Sequence, residues 1–340
     1  MAHPARMFEV LPAGKVRCMA CIRRCWIPAG KRGWCRTREN RDGQLYSLIY
    51  GRVAAMSLNP IEKKPVFHFL PGSRWLSLGS LGCNFRCPGC QNWELAHADL
   101  DRELEHTRYV SPAELVQLAL ERRAVGLSWT FNEPAIWIEY ILDTLPLARE
   151  AGLFTNIVTN GALTPEAVDA LGPHLDVYRT DIKGFKARTY EALAHLPHYE
   201  EIFAAAERAR HRWGLHVEVV TNIIPGLNDD EETLEGIAQW LATRLGPDTP
   251  WHLTRFYPAY IFQDRLATPL ETLLKAYKIA RGQGLIFVYL GNVPGHELEN
   301  TYCPRCRALL IRREIFDILA NRLQAGCCPK CRTPIPGRWI

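Results

Sequence analysis

Short apolar runs and amphipathic stretches alternate through the middle of the chain, between residues 75 and 290. Seven of the apolar runs are rich in β-branched and aromatic residues and too short for helices, so they are predicted to be strands. These strands span residues 75–80, 127–131, 153–160, 176–182, 216–224, 251–257 and 285–290. The alternation is typical of parallel strands with helices outside them, in a β/α barrel or an open doubly wound sheet.

Three of the intervening stretches begin with helix start signals. Ser111 and Glu114 have the spacing of a capping box, with proline at the first helical position. Thr164 is also followed by proline, and Asn228 precedes an acidic first turn over residues 229–232. We therefore expect a helix to begin at each of these places.

Polar and glycine-rich segments follow the predicted strands. In chain order they are LGCNFRCPGC, FNEP, TNG, DIKGF, IIPGLND, RFYP and GNVPGHE. Barrels of this class build their active sites from the loops at the carboxyl ends of the strands. Turn formation alone would explain TNG. It does not explain Glu133, Asp181 and Lys183 at strand ends together with three cysteines on the first loop.

The composition is that of an ordinary globular protein. Its 340 residues are 47% hydrophobic and 23% charged, which suits about two structural units and excludes a collagen, a disordered tail or a coiled coil. A net charge of +5 without blocks of like charge allows an anionic partner but does not require one. Because the chain shows neither a membrane-length apolar run nor a signal-peptide core near its start, we expect a cytoplasmic protein without membrane contact.

Twelve cysteines fall into three groups, which favours metal binding over disulfides. The central group is Cys83-x3-Cys87-x2-Cys90. Three thiolates can bind three irons of a [4Fe–4S] cube and leave the fourth iron open to a substrate or cofactor. A structural zinc site would want a fourth ligand, for which His97 is the candidate.

The C-terminal group consists of Cys303, Cys306, Cys328 and Cys331. Two C-x2-C pairs separated by 21 residues are typical of a zinc ribbon, with a second iron–sulfur cluster as the less favoured interpretation. Cys327 is then a spare thiol. The many arginines of this segment predict a solvated basic face, and nucleic-acid binding is not favoured.

The N-terminal group consists of Cys18, Cys21, Cys25 and Cys35, between glycines that permit tight turns. Zinc and an auxiliary [4Fe–4S] cluster both fit these four thiolates, and the sequence gives only a slight preference for zinc. Because four thiolates leave a metal no open position, we expect both terminal groups to be structural closures rather than redox centres.

The central motif and the segments after the strands resemble the radical S-adenosylmethionine (SAM) superfamily, whose C-x3-C-x2-C signature follows the first strand of a partial (βα)6 barrel. The resemblance implies that SAM binds the open iron of a [4Fe–4S] cluster. Reductive cleavage then yields a 5′-deoxyadenosyl radical that abstracts hydrogen from a substrate, here unknown. It also implies SAM contacts from residues at the strand ends, namely Asn132, Glu133, Asn160, Asp181, Lys183, Pro225 and Gly226.

Several positions depart from the glycyl-radical-enzyme activases within that superfamily. Gly89 stands where an aromatic residue is usual, and Val158 stands where the activases carry aspartate. The activases have a histidine at the end of strand six, where the nearest candidates are His252 and Tyr257. These departures weigh against glycyl-radical activation, which we keep as the alternative function.

A closer resemblance is to the radical SAM proteins of the AmmeMemoRadiSam system. It is carried by CMACIRRCWIPAGKRGWCRTREN, YGRVAAMSLNPIEKKPVFHFLPGS, GCNFRCPGCQNWE, TFNEP, VTNG, DIKGF, IIPGLND, TPWHLTRF, YLGNVPGHELENTYCPRC and CPKCRTPIPGRW. This resemblance implies Memo-like and AMMECR-type partner proteins and an electron donor such as a flavodoxin or ferredoxin.

The sequence thus predicts three segments and ranks three functions. An N-terminal cysteine knuckle and linker covers residues 1–70, a radical SAM barrel residues 71–297, and a zinc-ribbon-like domain residues 298–340. The leading function is a radical SAM enzyme of unknown substrate, followed by a glycyl-radical activase. A non-catalytic zinc-binding nucleic-acid or scaffold protein is the alternative of another class, and it would leave the polar strand ends unexplained.

Overall fold

The computed structural model describes residues 2–196 and 198–339. The N-terminal unit contains six short strands: β1 (His3–Pro4), β2 (Phe8–Val10), β3 (Val16–Cys18), β4 (Trp26–Ile27), β5 (Arg38–Arg41) and β6 (Gln44–Ser47). They form two small antiparallel sheets, ordered β1-β6-β5 and β2-β3-β4. Cys18 ends β3, and the turns and loops that follow carry Cys21, Cys25 and Cys35.

The middle of the chain adds ten strands: β7 (Arg52–Val53), β8 (Ala55–Pro60), β9 (Arg74–Gly79), β10 (Arg108–Tyr109), β11 (Gly126–Trp129), β12 (Phe154–Thr159), β13 (Val177–Asp181), β14 (His216–Ile223), β15 (Trp251–Arg255) and β16 (Val288–Gly291). Eight of them form one sheet in the order β8-β9-β11-β12-β13-β14-β15-β16, and β7 pairs with β10. Strand β8 is antiparallel to β9, whereas every other neighbouring pair in the sheet is parallel. The seven predicted strands are therefore confirmed, and β8 joins them from the segment assigned above to the N-terminal unit.

In the part of the chain that the structure describes, nine α-helices lie between and beside the parallel strands: α1 (Trp93–Ala96), α2 (Leu100–Glu103), α3 (Pro112–Glu121), α4 (Ile138–Glu150), α5 (Pro165–Leu171), α6 (Ala187–Ala194), α7 (Glu200–His211), α8 (Glu231–Trp240) and α9 (Leu270–Gly282). At least one helix separates each parallel strand from the next, as β/α connections require. Among the helices of the described ranges, none has both the length and the apolar character needed to cross a bilayer.

Two of the three predicted helix starts are confirmed. The Ser111 hydroxyl accepts the Glu114 amide at 3.2 Å, and the Thr164 hydroxyl accepts the amide three residues later at 3.1 Å. The third prediction is wrong because Asp230, not Asn228, caps α8 by accepting the Thr233 amide at 3.1 Å. The Asn228 side chain is already used in the preceding loop, where it accepts the amide of residue 224 at 2.6 Å.

The C-terminal unit is a three-stranded antiparallel sheet with strands β17 (Thr301–Tyr302), β18 (Leu309–Glu314) and β19 (Asp317–Asn321). Its buried face packs on Phe67, Phe287 and Tyr289, next to the central sheet. The guanidinium of Arg313 lies 4.1 Å from the Phe67 ring centroid and donates to the Phe67 carbonyl at 3.0 Å. The ribbon is thereby fixed to the segment that joins β8 to β9.

Candidate active site

A cavity of about 460 Å³ opens at the carboxyl ends of the parallel strands. Its wall is built from the loops after β9, β11, β12 and β13 and from the ends of β14 and β15. This volume lies in the range that small-ligand sites occupy in proteins. Because all the parallel strands end at this edge of the sheet, the cavity collects the polar segments that follow them.

The three central cysteines, Cys83, Cys87 and Cys90, line this cavity from the loop after β9. The described residues hold no trio of metal-ligand atoms here within 4.8 Å of one another. Thiolates bound to different irons of a cube lie farther apart than thiolates bound to one zinc ion, which stand about 3.8 Å from one another. Burial and the neighbouring Cys87 raise the pKa of Cys90 to about 11, and a bound cation would have the opposite effect on this thiol.

Two asparagine side chains brace the cysteine loop. The Asn132 amide donates to the Gly82 carbonyl at 2.9 Å. The Asn160 amide donates to the side-chain oxygen of Asn84 at 2.7 Å and lies 3.9 Å from the Cys83 sulfur. Both asparagines line the cavity, and their observed contacts make them positioning residues for the loop.

The Glu133 carboxylate is buried in the cavity wall and held by three donors. It accepts hydrogen bonds from the Thr159 hydroxyl at 2.7 Å, the backbone amide of Asn160 at 2.8 Å and the backbone amide of Ala135 at 2.9 Å. Burial raises the pKa of Glu133 to about 7, although these hydrogen bonds act in the opposite direction. A carboxylate offers about four acceptor positions, so one remains for a ligand donor.

Asp181 and Lys183 form an ion pair at the end of β13, with the ammonium 3.0 Å from the carboxylate. Arg179 pairs with the other carboxylate oxygen. Burial alone would raise the pKa of Asp181, but the charges of Lys183 and Arg179 outweigh it and hold the pKa below its ordinary value. For Lys183 the Asp181 carboxylate outweighs burial in the same way and raises the pKa. Both groups are therefore charged at neutral pH on the cavity wall.

The segment after β14 contributes fewer residues to the cavity wall than the family resemblance implied. Ile224 is buried and lines the cavity, while Pro225 and Gly226 are not among the described residues of its wall. The Gly226 amide donates instead to the Asp229 carboxylate at 2.8 Å, which turns this backbone toward α8. From β14 and the segment after it, Val220, Asn222 and Ile224 line the cavity.

Gly89 has a packing reason for lacking a side chain. A Cβ at this position would lie 3.0 Å from a ring carbon of Phe256 and 3.1 Å from one of Phe262. The Phe262 amide also donates to the Pro88 carbonyl at 3.1 Å. The aromatic residue that the superfamily usually carries here would collide with these two rings.

Arg179, Asn222, Thr254 and Phe316 are among the wall residues that sequence reasoning missed, and Lys63, whose place it left undecided, also lines the cavity. Arg179 could have been found, because it stands two residues before Asp181 and successive side chains of a strand alternate between its faces. No pattern along the chain indicated Phe316, since it reaches the cavity from the turn between β18 and β19.

The histidine and tyrosine candidates lie elsewhere. His252 is 1% exposed near the start of β15 and contacts the Glu218 carboxylate at 2.6 Å. Tyr257 donates to the Asn292 carbonyl at 3.1 Å, and the His97 ring stacks on Tyr260 at a centroid distance of 5.0 Å. The described part of the cavity wall therefore contains no histidine.

The C-terminal thiols converge on one point. The sulfur atoms of Cys303 and Cys331 lie 3.5 Å apart, and those of Cys306 and Cys328 lie 3.6 Å apart. All four sulfurs lie within 4.8 Å of one another. Cys327 is not part of this group; its backbone pairs with that of residue 324. Four thiols at this spacing match the tetrahedral ligand set of a single ion.

The N-terminal thiols of Cys18, Cys21, Cys25 and Cys35 line one small cavity beside the central loop. Burial raises the pKa of Cys18 to about 11 and raises that of Cys25. Gly82, the residue before the central motif, packs closely against Thr37 of the N-terminal unit. A Cβ added at Gly82 would lie only 2.6 Å from a methyl carbon of Thr37.

Comparison with known proteins agrees with this geometry. The model of the radical SAM superfamily matches residues 78–241. An uncharacterized protein of Methanocaldococcus jannaschii is 42% identical over 313 residues, which cover 92% of this chain and 92% of that relative. The pyruvate formate-lyase-activating enzyme of Clostridium pasteurianum is 26% identical over 165 residues, 46% of this chain and 65% of that enzyme.

The fold is also found in a solved structure. A radical SAM methyltransferase from Sphaerobacter thermophilus aligns with a TM-score of 0.51 and 16% identity, over 86% of this chain and 77% of that one. The chain belongs to the radical SAM superfamily. It is a radical SAM enzyme, and its cofactors are a [4Fe–4S] cluster and SAM.

Proposed function

We propose that Cys83, Cys87 and Cys90 bind the [4Fe–4S] cluster of this enzyme and that SAM occupies the adjoining cavity. One observation carries the proposal: the three thiols share a wall with Glu133 and the charged end of β13. When bound, the cluster supplies the electron that cleaves SAM to a 5′-deoxyadenosyl radical. The scaffold alternative gives no reason for this arrangement.

The charges on the wall match the two charged groups of the SAM methionine moiety. The carboxylate side of SAM needs a cation, which Lys183 supplies, and the amine needs acceptors, which Glu133 and Asp181 supply. Asn132 and Asn160 hold the cysteine loop through the contacts described above, so we assign them to positioning. Pro225 and Gly226 would act on the adenine through the shape of the loop after β14.

Phe316 and Lys63 close the cavity on the side of the C-terminal ribbon. We propose that zinc at Cys303, Cys306, Cys328 and Cys331 fixes the ribbon and thereby this side of the cavity. The hairpin of β18 and β19 then limits the entry of water and orients the substrate. The metal would act there through structure, since four thiolates leave it no open position.

Two further proposals rest on resemblance. A flavodoxin or ferredoxin would donate the electron, and Memo-like and AMMECR-type proteins would be partners in the same process. Activation of a glycyl radical enzyme is the second candidate function, favoured by the partial likeness to pyruvate formate-lyase-activating enzyme. Val158 and the lack of a histidine in the described cavity wall separate this chain from the activase pattern noted above.

The test is anaerobic reconstitution with iron and sulfide, reduction with dithionite, and measurement of 5′-deoxyadenosine after addition of SAM. The proposal expects SAM-dependent formation of 5′-deoxyadenosine and abolition of that product in a variant with Cys83, Cys87 and Cys90 all replaced by alanine. An unchanged product yield in the variant would remove these cysteines from the site. A glycyl radical signal in a partner enzyme would instead support the activase.

A further inference from the structure

The N-terminal cysteines line one cavity in an arrangement that differs from both other cysteine groups. Cys18 ends β3, Cys21 and Cys25 lie in the turn before β4, and Cys35 comes from the following loop. Gly33 permits the approach of that loop, because a Cβ there would lie 3.1 Å from Ile27 and 3.8 Å from the Cys25 sulfur. The backbone therefore brings all four thiols to the same small cavity.

The sulfur spacing excludes the arrangement seen at the C-terminus. Within residues 2–196 and 198–339, the C-terminal thiols are the one group of at least three candidate metal ligands whose atoms all lie within 4.8 Å. The N-terminal thiols do not meet this limit, although they are just as numerous. A tetrahedral zinc ion holds sulfurs about 3.8 Å apart, whereas the four corners of an iron–sulfur cube hold them about 6 Å apart.

The thiols also line a small open space. The cavity has a volume of about 10 Å³, which is about the room that one water-sized sphere needs. Sulfurs drawn to about 2.3 Å from a single zinc ion would leave no such space at their centre.

The wall of the N-terminal cysteine cavity also contains unpaired hydrogen-bond donors. A zinc ion would supply no acceptor for them. Arg38 is 1% exposed, and its Nε and Nη1 groups have no partner among the described residues. Asn84 is fully buried, and its side-chain nitrogen likewise has no partner there. Both residues line the cysteine cavity. The inorganic sulfides of an iron–sulfur cluster accept hydrogen bonds of this kind.

We propose that Cys18, Cys21, Cys25 and Cys35 bind a second [4Fe–4S] cluster, with Arg38 and Asn84 donating hydrogen bonds to its sulfur atoms. The cysteine pattern alone slightly favoured zinc at this site, and the present assignment replaces that preference. Since all four irons have a protein thiolate, the site cannot bind SAM and is suited to holding an electron.

The place of the site supports that role. Asn84 lines the N-terminal cavity, and Cys83, the residue before it, lines the active-site cavity, so adjacent residues of the central loop face the two cavities. The Arg23 guanidinium, on the N-terminal wall, donates to the Asn84 carbonyl at 2.5 Å. The two cysteine groups are therefore neighbours across a single stretch of backbone.

The test removes the central cluster and counts the remaining iron. We expect the variant with alanine at Cys83, Cys87 and Cys90 to retain about four irons and four sulfides per chain after anaerobic reconstitution. Adding Cys21→Ala and Cys25→Ala should remove this iron while the C-terminal zinc stays. A triple variant with no iron and a second zinc would overturn the proposal.

A second measurement does not depend on the folding of the variants. The reduced wild-type protein should give two cluster signals in electron paramagnetic resonance, and SAM should change one of them. A single signal that SAM alters completely would overturn the proposal. Retention of four irons in the triple variant, together with failure of the wild type to cleave SAM, would refute the proposed function while leaving this inference intact.

Discussion

The two ends of the chain each supply four cysteines, yet they arrange the sulfur atoms differently. At the C-terminus all four sulfurs lie within 4.8 Å of one another, with the paired distances of 3.5 and 3.6 Å. At the N-terminus the four thiols surround a cavity with room for about one water. The same number of thiols is therefore arranged in two different ways, and this difference is the basis for the two metals proposed above.

The difference follows from how the chain supplies the ligands. In the ribbon, two C-x2-C turns face each other, so that Cys303 meets Cys331 and Cys306 meets Cys328. In the N-terminal unit, three cysteines come from β3 and one turn, and the fourth arrives from a separate loop across Gly33. Ligand spacing along the chain indicates a metal site, but the backbone path decides how far apart the sulfurs stand.

The largest effect on SAM cleavage should come from a change in the central cysteine group, against which the two terminal groups are compared. Cys87→Ala removes one of three protein ligands of the central cluster, and we expect it to abolish formation of 5′-deoxyadenosine from SAM. The same preparation should keep about four irons at the N-terminal group. If the variant still formed 5′-deoxyadenosine, one of the flanking groups would have to be the SAM-cleaving site.

The next largest effect should be the loss of one metal ion from the ribbon. Cys306→Ser breaks a four-thiolate site, so about one equivalent of zinc should be released while the iron content and the ~400 nm absorption persist. Cys327→Ser is the matched control, because this thiol is outside the group, and it should release nothing. Parallel loss of iron and sulfide from the Cys306 variant would make the ribbon an auxiliary cluster.

A smaller effect is expected for the charged end of β13. Lys183→Ala removes a charge-assisted hydrogen bond worth about 1.5–3 kcal/mol, so SAM should bind about 10- to 100-fold more weakly. Lys186→Ala is the control, because its ammonium pairs with Asp230 at 2.8 Å away from the cavity wall. Equal dissociation constants for both variants, measured by titration of the reconstituted protein, would place Lys183 outside the SAM site.

The smallest effect should be that of the ribbon hairpin on the cavity. Phe316→Ala removes a partly exposed ring from the wall, and at about 1 kcal/mol this should weaken SAM binding about fivefold. Leu319→Ala on the same hairpin is the control, since Leu319 is exposed and is not among the described residues of the wall. Both variants should keep zinc and iron. An unaltered affinity for Phe316→Ala would limit the ribbon to a role away from SAM.

Much of the fold was predictable because strand and helix periods are local properties of the chain. The seven parallel strands and the caps at Ser111 and Thr164 needed only neighbouring residues. Strand β8 was not predicted, because its alternation is weak and its place depends on pairing with β9. The start of α8 was misassigned by two residues because Asp230 and Asn228 are both good caps, and only packing decides between them.

The site was predictable where chemistry is unusual and unpredictable where it depends on distant contacts. Cys83, Glu133 and Lys183 share the cavity as expected. Pro225 and Gly226 are not among the described wall residues, and the Gly226 amide bonds to Asp229 before α8. Phe316 comes from the C-terminal unit, more than a hundred residues after Lys183 in the sequence. The metal preference at the N-terminus could not be settled from spacing, because it depends on distances between four sulfurs that separate turns bring together.

The most direct test is the metal content of the reconstituted wild-type chain, purified anaerobically and analysed for iron, sulfide and zinc. The comparison between the two cysteine groups predicts about eight irons, about eight sulfides and one zinc per chain, since two cubes and one tetrahedral ion share the eleven thiolates. About four irons with two zincs would contradict it, because both ends would then hold the same metal.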